Sequence, residues 1–416
     1  MEYGLIGNPL GHSISPAIHA CFHNGIDYQL HPVETEEALK QFLEERNFKA
    51  VNVTIPWKQK VIPYLDELDP AARAIGAVNC IVNDHGRLTG HNTDVSGFRQ
   101  MMERNHVSLS GKTAVLGTGG ASHAVCQAVV DLGGSVVLVS RHPREGGRFS
   151  MISYPELMAS SFDVLINTTP VGMSPDCDAV PVEIGKLSSV HTVADIIANP
   201  LRTRLQFEAQ LAGKKAYGGL EMLVRQAARA QELFFGTAVD EKTVMSCLWQ
   251  MKMMQSNVVL IGMPSSGKTV VGRMLAQQLG WDFVEMDAEL VKRFGTSIRN
   301  VFETKGETWF RDQETKLIED LRSKKRTVIS TGGGVIKRVE NMRMLAENGV
   351  VIWLDRSPRL LHGTSERPLS PDDDAIRRLY EERLPLYRLY SDRCVENNGQ
   401  LNETVHAIEK IVRGEN

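Results

Sequence analysis

The chain has 416 residues, enough for two or three domains of roughly 150 residues each, and its 42% hydrophobic content gives each one a core. A net charge of -3 with acids and bases interspersed excludes a basic field for nucleic acid and a polybasic membrane anchor, so electropositive sites should be local and made for small anions. Six scattered cysteines (Cys21, Cys80, Cys126, Cys177, Cys247, Cys394) with no CxxC pair fit reduced thiols better than disulfides or zinc. The start Met1-Glu2-Tyr3-Gly4-Leu5-Ile6-Gly7 lacks the charged and apolar regions of a leader, and no run approaches the roughly 18 apolar residues of a membrane span. The expectation is a cytoplasmic protein whose partners are metabolites.

In chain order, β-branched runs alternate with helical patterns: Val51 to Ile55, Thr113 to Leu116, Val136 to Val139, Val164 to Ile166, Val258 to Ile261, Thr327 to Ile329 and Val350 to Leu354. Strands spaced by helices predict parallel α/β sheets. Two of these runs enter glycine-rich turns followed by helices, at Gly117 and Gly262, which predicts two nucleotide domains. Between them, Thr243 to Gln255 reads as a closing helix and a new strand begins at Asn257, so the boundary falls near Ser256. The acidic Asp372-Asp373-Asp374 reads as a solvated loop.

In Gly11-His12-Ser13-Ile14-Ser15-Pro16, Ser15 reads as an N-cap with Pro16 at the first helical position, so two serine hydroxyls flank a helix start suited to a carboxylate. Further on, Gly117-Thr118-Gly119-Gly120-Ala121-Ser122 joins a strand to a helix, the setting for a dinucleotide pyrophosphate, with Ser122 in place of the third glycine. At the end of the next strand an NAD enzyme would offer a carboxylate to the ribose; this chain has Ser140-Arg141-His142-Pro143-Arg144. Arginine there suits a 2'-phosphate, so NADPH is the predicted cofactor, with Arg141 the better contact and Arg144 a second candidate.

Together with Asn52-Val53-Thr54-Ile55-Pro56-Trp57-Lys58, Gly76-Ala77-Val78-Asn79 and Asn92-Thr93-Asp94, these motifs make residues 1 to about 250 resemble shikimate dehydrogenase. The resemblance implies a substrate-binding α/β domain (1–98 and about 220–256) and a Rossmann-like NADP domain (about 99–219). It implies that Ser13 and Ser15 hold the substrate carboxylate, that Thr54, Asn79, Asn92 and Gln226 meet the ring hydroxyls, and that Lys58 and Asp94 form the acid–base pair. The cofactor would lie on Gly117, Gly119, Gly120, Ala121, Arg141, Thr168, Met173 and Gly219. Chemically, hydride transfer to a ketone leaves an alkoxide that needs a proton, and a lysine beside a carboxylate is a sensible donor. Two departures stand out: Arg144 to Pro155 is too short for the family's crossover helix, and Ala198 stands where a tyrosine is common.

Gly262-Met263-Pro264-Ser265-Ser266-Gly267-Lys268-Thr269 follows a strand and precedes a helical pattern, the context that a P-loop requires. Backbone N–H groups of Gly262, Ser265, Ser266 and Gly267 would cradle phosphates, Lys268 would reach the terminal oxygens and Thr269 would meet Mg2+. Downstream come Asp287, Arg311 in Trp309-Phe310-Arg311, Gly332-Gly333-Gly334 after a strand, Arg367 in Arg-Pro-Leu, and Arg383 in Arg-Leu-Pro-Leu-Tyr. In that order they make residues 257–416 resemble shikimate kinase, a P-loop domain with a parallel sheet. By that resemblance Asp287 binds the acceptor hydroxyls as the catalytic carboxylate, and Arg311 and Arg383 grip its carboxylate with Gly333 and Gly334 beside them. Arg367 is the lid arginine on ATP. Glu285 stands where the family places a magnesium-shell aspartate, the lid segment 360–366 is short, and no arginine matches the one that stacks on adenine.

The two resemblances converge on one metabolite. They imply a fusion that reduces 3-dehydroshikimate with NADPH and then phosphorylates shikimate with ATP; the expected partners are these small molecules, with no nucleic acid and no membrane, and the oligomeric state is not legible. Two alternatives stay open: a regulatory or binding protein with a degenerate kinase half, and a quinate/shikimate dehydrogenase.

Overall fold

A computed structural model describes residues 1–11, 13–361 and 372–414. The chain divides into two compact units, Met1–Met251 and Lys252–Asn416. The helix Glu241–Gln255 runs through that division, and strand pairing resumes at Asn257. Among the described residues no helix is long and apolar enough to cross a membrane.

The first unit holds two six-stranded sheets. The first is built from β1 (Tyr3–Gly7), β2 (Tyr28–Pro32), β3 (Ala50–Val53), β4 (Glu67–Leu68), β5 (Cys80–Asp84) and β6 (Arg87–His91), in the order β2-β1-β3-β5-β6-β4. β1 runs parallel to β2 and β3, whereas β5 is antiparallel to both β3 and β6. Register then decides where side chains meet. Asn52 faces Cys80 and Cys80 faces His91, so the residues after β3, before β5 and after β6 emerge at one end of the sheet. Those residues are Thr54, Asn79 and Asn92.

The second sheet is wholly parallel, in the order β12-β11-β10-β7-β8-β9. Its strands are β7 (Lys112–Leu116), β8 (Ser135–Val139), β9 (Met151–Ile152), β10 (Val164–Asn167), β11 (Thr192–Asp195) and β12 (Lys215–Gly218). The chain goes from β7 outward to β8 and β9, then returns to β10 on the other side of β7. That makes a topological switch point between β7 and β10, where doubly wound sheets bind their ligands at the carboxyl ends of the strands. No helix lies between β8 and β9, in line with the short crossover read from the sequence; Phe149 packs against the core of this sheet instead.

The second unit carries a parallel sheet of β13 (Asn257–Ile261), β14 (Asp282–Glu285), β15 (Thr327–Ser330), β16 (Gly349–Asp355) and β17 (Arg393–Glu396), ordered β14-β15-β13-β16-β17. The central β13 is buried at every residue, which explains its unbroken apolar run.

Two local readings need correction. Ser15 is not the cap of its helix: Ser15–Phe22 starts on Ser15, Ile14 occupies the cap position with no side-chain bond, and Pro16 is second in the helix. Here Ser13 Oγ accepts the Ser15 N–H (3.3 Å) and donates to Ser15 Oγ (3.0 Å), so the two serines are joined in a tight turn at the helix start, and no side chain accepts a cap N–H. Nor is Asp372-Asp373-Asp374 a loop. Asp372 caps the helix Asp373–Tyr390 by accepting the Ala375 N–H, and the other two acids occupy its first turn, where the helix dipole favours negative charge.

Candidate active sites

In the first unit, the sheet end that gathers Thr54, Asn79 and Asn92 also gathers the charged pair. Lys58 Nζ donates to Asp94 Oδ2 at 2.6 Å, with Asp94 buried and Lys58 mostly so. Asp94 opens the helix Asp94–Arg104, and its other oxygen, Oδ1, accepts from Asn79 Nδ2 at 2.9 Å. Asn79 Nδ2 also lies within hydrogen-bonding distance of Thr93 Oγ1 (2.9 Å) and Gln226 Oε1 (3.3 Å). Gln226 comes from the helix Leu220–Phe235, so a residue more than a hundred positions away is drawn into the same cluster. Asn92 is tied to backbone, with Nδ2 donating to Ala77 O and Oδ1 accepting the Asp94 N–H. That fixes the start of the helix and leaves its second amide hydrogen for a ligand. The loop after β1 leaves from the same end, where Asn8 N–H donates to Ile55 O, and leads to Ser13 and Ser15, whose hydroxyls are joined at 3.0 Å.

At the switch point, Gly117 adopts φ +112, a conformation that side chains disfavour, and a Cβ on it would meet Thr168 Oγ1 at 2.8 Å. Thr168 Oγ1 donates back to Leu116 O at 2.5 Å. Gly119 has open space beside it, and the helix Gly120–Asp131 begins where a Cβ on Gly120 would touch Ala77 and the Lys58 stem. The glycine turn therefore brings the helix start, with Ala121 in its first turn, next to the Lys58–Asp94 pair. Ser122, in place of the third glycine, is buried and donates to Gly119 O at 2.9 Å. Arg141 is exposed just past β8, and among the described residues no carboxylate pairs with it. Met173 is exposed at the tip of the loop after β10. Gly219 fits tightly: a Cβ there would sit 2.0 Å from Ile196 O.

One buried group in this region escaped the sequence reading. Asp195, at the end of β11, accepts from Thr203 Oγ1 (2.7 Å), Ile197 N (3.2 Å) and Asn167 Nδ2 (3.1 Å), and Asn167 in turn accepts from Thr169. Burial pushes its carboxyl up to about 6 against the pull of those donors. The signal was present as a carboxylate at a strand end, but only the fold shows that it ties down the Thr168 loop.

In the second unit, Gly262 (φ +149), Ser265 (φ +65) and Gly267 (φ +93) turn the loop before the helix Lys268–Leu279. Buried Lys268 donates to Gly262 O (3.0 Å) and Met263 O (2.8 Å), spanning the loop that it closes. Thr269 Oγ1 donates to Glu285 Oε1 at 2.7 Å, so the hydroxyl and the carboxylate meet despite the longer glutamate arm. Among the described residues no group of three His, Cys, Asp or Glu is arranged to hold a metal ion. A magnesium ion fits here as a phosphate-borne one, held through one hydroxyl and one carboxylate.

Across a cleft of about 450 Å³ from the P-loop lie Asp287, Arg311, Gly332 to Gly334 and Arg383. Asp287 sits in the first turn of the helix Met286–Phe294, with Oδ1 2.8 Å from the place of a Gly332 Cβ. The Arg311 guanidinium packs directly on Gly334, where a Cβ would displace it. Arg383 Nη1 donates to Gly333 O at 2.7 Å, while its buried Nε has no acceptor, the state expected of a group that awaits a carboxylate. Arg367 lies outside the described residues.

Three further residues of this site were not read from the sequence. Glu314, fully buried, accepts from Arg311 Nη1 at 2.9 Å, and burial raises its carboxyl above the ordinary range against the pull of Arg311. Its position three residues after Arg311 on one helix was a usable signal. Tyr387, four residues after Arg383, donates to Gly333 O at 2.8 Å. Asn397, just past β17, donates to Ser266 O at 2.7 Å and accepts from Thr404 Oγ1 at 2.9 Å, which buttresses the P-loop from behind.

Comparison with known proteins gives both halves a family. A family model for the shikimate dehydrogenase substrate binding domain matches residues 5–81, and one for shikimate kinase matches residues 264–413. The NADP(+) shikimate dehydrogenase of Clostridium beijerinckii is 39% identical over 253 residues, covering 58% of this chain and 94% of that protein. Among solved structures, a chorismate mutase/shikimate 5-dehydrogenase fusion protein from Clostridium acetobutylicum is 36% identical at a TM-score of 0.57, over 60% of this chain and 96% of that one. The Thermus thermophilus shikimate 5-dehydrogenase in complex with NADP(H) and shikimate is 32% identical at 0.55, over 60% and 99%. The chain belongs to the shikimate dehydrogenase family, with a shikimate kinase domain following in the same polypeptide.

Proposed function

We propose that this is a bifunctional shikimate-pathway enzyme: an NADP-dependent dehydrogenase that reduces 3-dehydroshikimate to shikimate, and a kinase that phosphorylates shikimate to shikimate 3-phosphate. The observation that carries the reading is that each half brings its charged groups together: Lys58 on Asp94 at 2.6 Å in the first, and in the second Thr269 on Glu285 at 2.7 Å beside Lys268, so the glutamate still reaches the hydroxyl from the place of the family's aspartate. The rival reading, a binding protein that has lost its chemistry, gains from Glu285 and the short lid segment but loses because Lys58, Asp94, Lys268, Asp287, Arg311 and Arg383 are all present. A quinate enzyme linked to NAD is disfavoured by Arg141, where a carboxylate would be needed for the ribose.

When bound, NADPH supplies the hydride and magnesium-bound ATP the phosphoryl group. In the dehydrogenase half, the Lys58 ammonium stands to donate a proton to the substrate carbonyl oxygen as negative charge develops there. Asp94 keeps Lys58 in place and accepts from the neighbouring hydroxyl, with Asn79, Asn92, Thr54 and Gln226 fixing the ring and Ser13 and Ser15 its carboxylate. Arg141 binds the 2'-phosphate, while Gly117, Gly119, Gly120 and Ala121 admit the pyrophosphate to a helix start. Thr168, Met173 and Gly219 border the nicotinamide.

In the kinase half, Arg311 and Arg383 grip the shikimate carboxylate beside Gly333 and Gly334. Asp287 orients the attacking hydroxyl and takes its proton, and Lys268 stabilises charge on the transferring group. Thr269 and Glu285 hold the magnesium shell, and Arg367 serves as the lid arginine. Six free cysteines fit a cytoplasmic enzyme.

The test measures the two reactions separately on the full chain. NADPH oxidation should require 3-dehydroshikimate, and ADP release should require shikimate. Absence of either reaction in folded protein sinks the corresponding half of the reading.

A further inference from the structure

In-line phosphoryl transfer fixes a direction across the second unit. Acceptor-side groups stand at the carboxyl ends of β14 and β15, at Asp287 and Gly332 to Gly334, and the P-loop leaves the central strand β13. The leaving phosphates and the nucleoside must then extend the other way, over the ends of β16 and β17. The first residue after β16 is Arg356, and the first after β17 is Asn397.

Arg356 is half-buried, and its Nε is buried with no hydrogen-bond partner. Among the described residues no carboxylate pairs with it. Its Nη1 lies 3.9 Å from the place of a Cβ on Gly267, the P-loop residue at φ +93 that leads into the helix Lys268–Leu279. The backbone on either side of this guanidinium is pinned. Asn397 N–H donates to Asp355 O at 2.7 Å, and Ser357 N–H donates to Asn398 Oδ1 at 2.8 Å. A permanent cation with an unsatisfied buried N–H, anchored on both flanks and pressed against a phosphate cradle, is an anion ligand in waiting.

We infer that Arg356 binds the α-phosphate of the nucleotide from the side of the P-loop opposite the acceptor. The inference rests on the ATP reading of the P-loop, so the test separates the two.

Calorimetric titration of the full chain with ADP and magnesium, and with inorganic tripolyphosphate and magnesium, reads the contact directly. Arg356→Ala should weaken both ligands about tenfold to a hundredfold, the usual size of a hydrogen bond to a charged group. Arg356→Lys should recover part of the loss. The melting temperature, shikimate binding without nucleotide and dehydrogenase activity should be unchanged. Failure of the wild type to bind ADP overturns the kinase reading itself. Normal wild-type binding with an Arg356→Ala affinity within twofold overturns the inference alone, as does a loss for ADP without one for tripolyphosphate.

Discussion

Thr269 Oγ1 and Glu285 Oε1 meet at 2.7 Å, which joins the P-loop hydroxyl to the carboxylate at the end of β14. An ion bound to both would sit at the mouth of the cleft that also contains Lys268 and Asp287. Removing the carboxylate by Glu285→Ala should raise the magnesium concentration for half-maximal kinase activity by about tenfold, equivalent to about 1.4 kcal/mol. Glu285→Asp should cost less, and the KM for shikimate should not move. A magnesium titration of the three proteins decides it; superimposable curves would remove Glu285 from the metal shell.

Arg141 projects from the end of β8 without a carboxylate partner among the described residues, so its charge is available to a ligand. Arg141→Ala should raise the KM for NADPH about tenfold to a hundredfold while leaving the KM for NADH nearly unchanged, since only the former carries the 2'-phosphate. Equal effects on the two cofactors would show that Arg141 acts on the fold rather than on that phosphate.

Asn397 ties the P-loop to the helix Leu401–Arg413 through Ser266 O and Thr404 Oγ1. Asn397→Ala leaves the Ser266 carbonyl without its amide donor and should cost about 1–3 kcal/mol of stability in the kinase half. The KM for ATP should rise with it. Thermal unfolding with and without ADP measures both; a variant as stable as the wild type would mean that water replaces the amide.

Asp195 has its carboxyl raised to about 6 from an ordinary 3.8 by burial. A raised carboxyl favours the protonated form in the folded state, so folding is favoured most at low pH. That contribution declines as pH rises from about 4 to about 6 and is flat above, a total of about 3 kcal/mol. Asp195→Asn cannot ionise and should remove this slope. The stability of the variant relative to the wild type should therefore grow between pH 4 and pH 6, as read by denaturant unfolding of each protein across that window. A constant difference would mean that Asp195 does not titrate there.

Much of the two sites was legible because their chemistry sits on short, locally encoded turns. The P-loop, the Gly117 turn and Arg141 all follow apolar strands directly, and each lies where its strand ends. Asn79, Asp94 and Gln226 were legible only through family resemblance, because what joins them is the antiparallel register of β3, β5 and β6 and the packing of Leu220–Phe235, neither of which is local. Glu314, Tyr387, Asn397 and Asp195 stayed hidden for a related reason. Each supports another site residue from behind, and a buried supporting group has no motif of its own. The misplaced cap at Ser15 shows the limit of one-residue boundary arguments: the helix starts one residue earlier, on Ser15 itself, and Ser13 two residues upstream accepts its N–H.

The central claim is that one chain carries both steps, with Lys58 serving the first and Lys268 the second. The most direct measurement gives the full chain 3-dehydroshikimate, NADPH and ATP with magnesium, and follows shikimate and shikimate 3-phosphate. The wild type should form shikimate 3-phosphate. Lys268→Ala should stop at shikimate, Lys58→Ala should form neither product, and mixing the two variants should restore shikimate 3-phosphate. Shikimate 3-phosphate from Lys268→Ala alone, or shikimate from Lys58→Ala at the wild-type rate, would contradict the account.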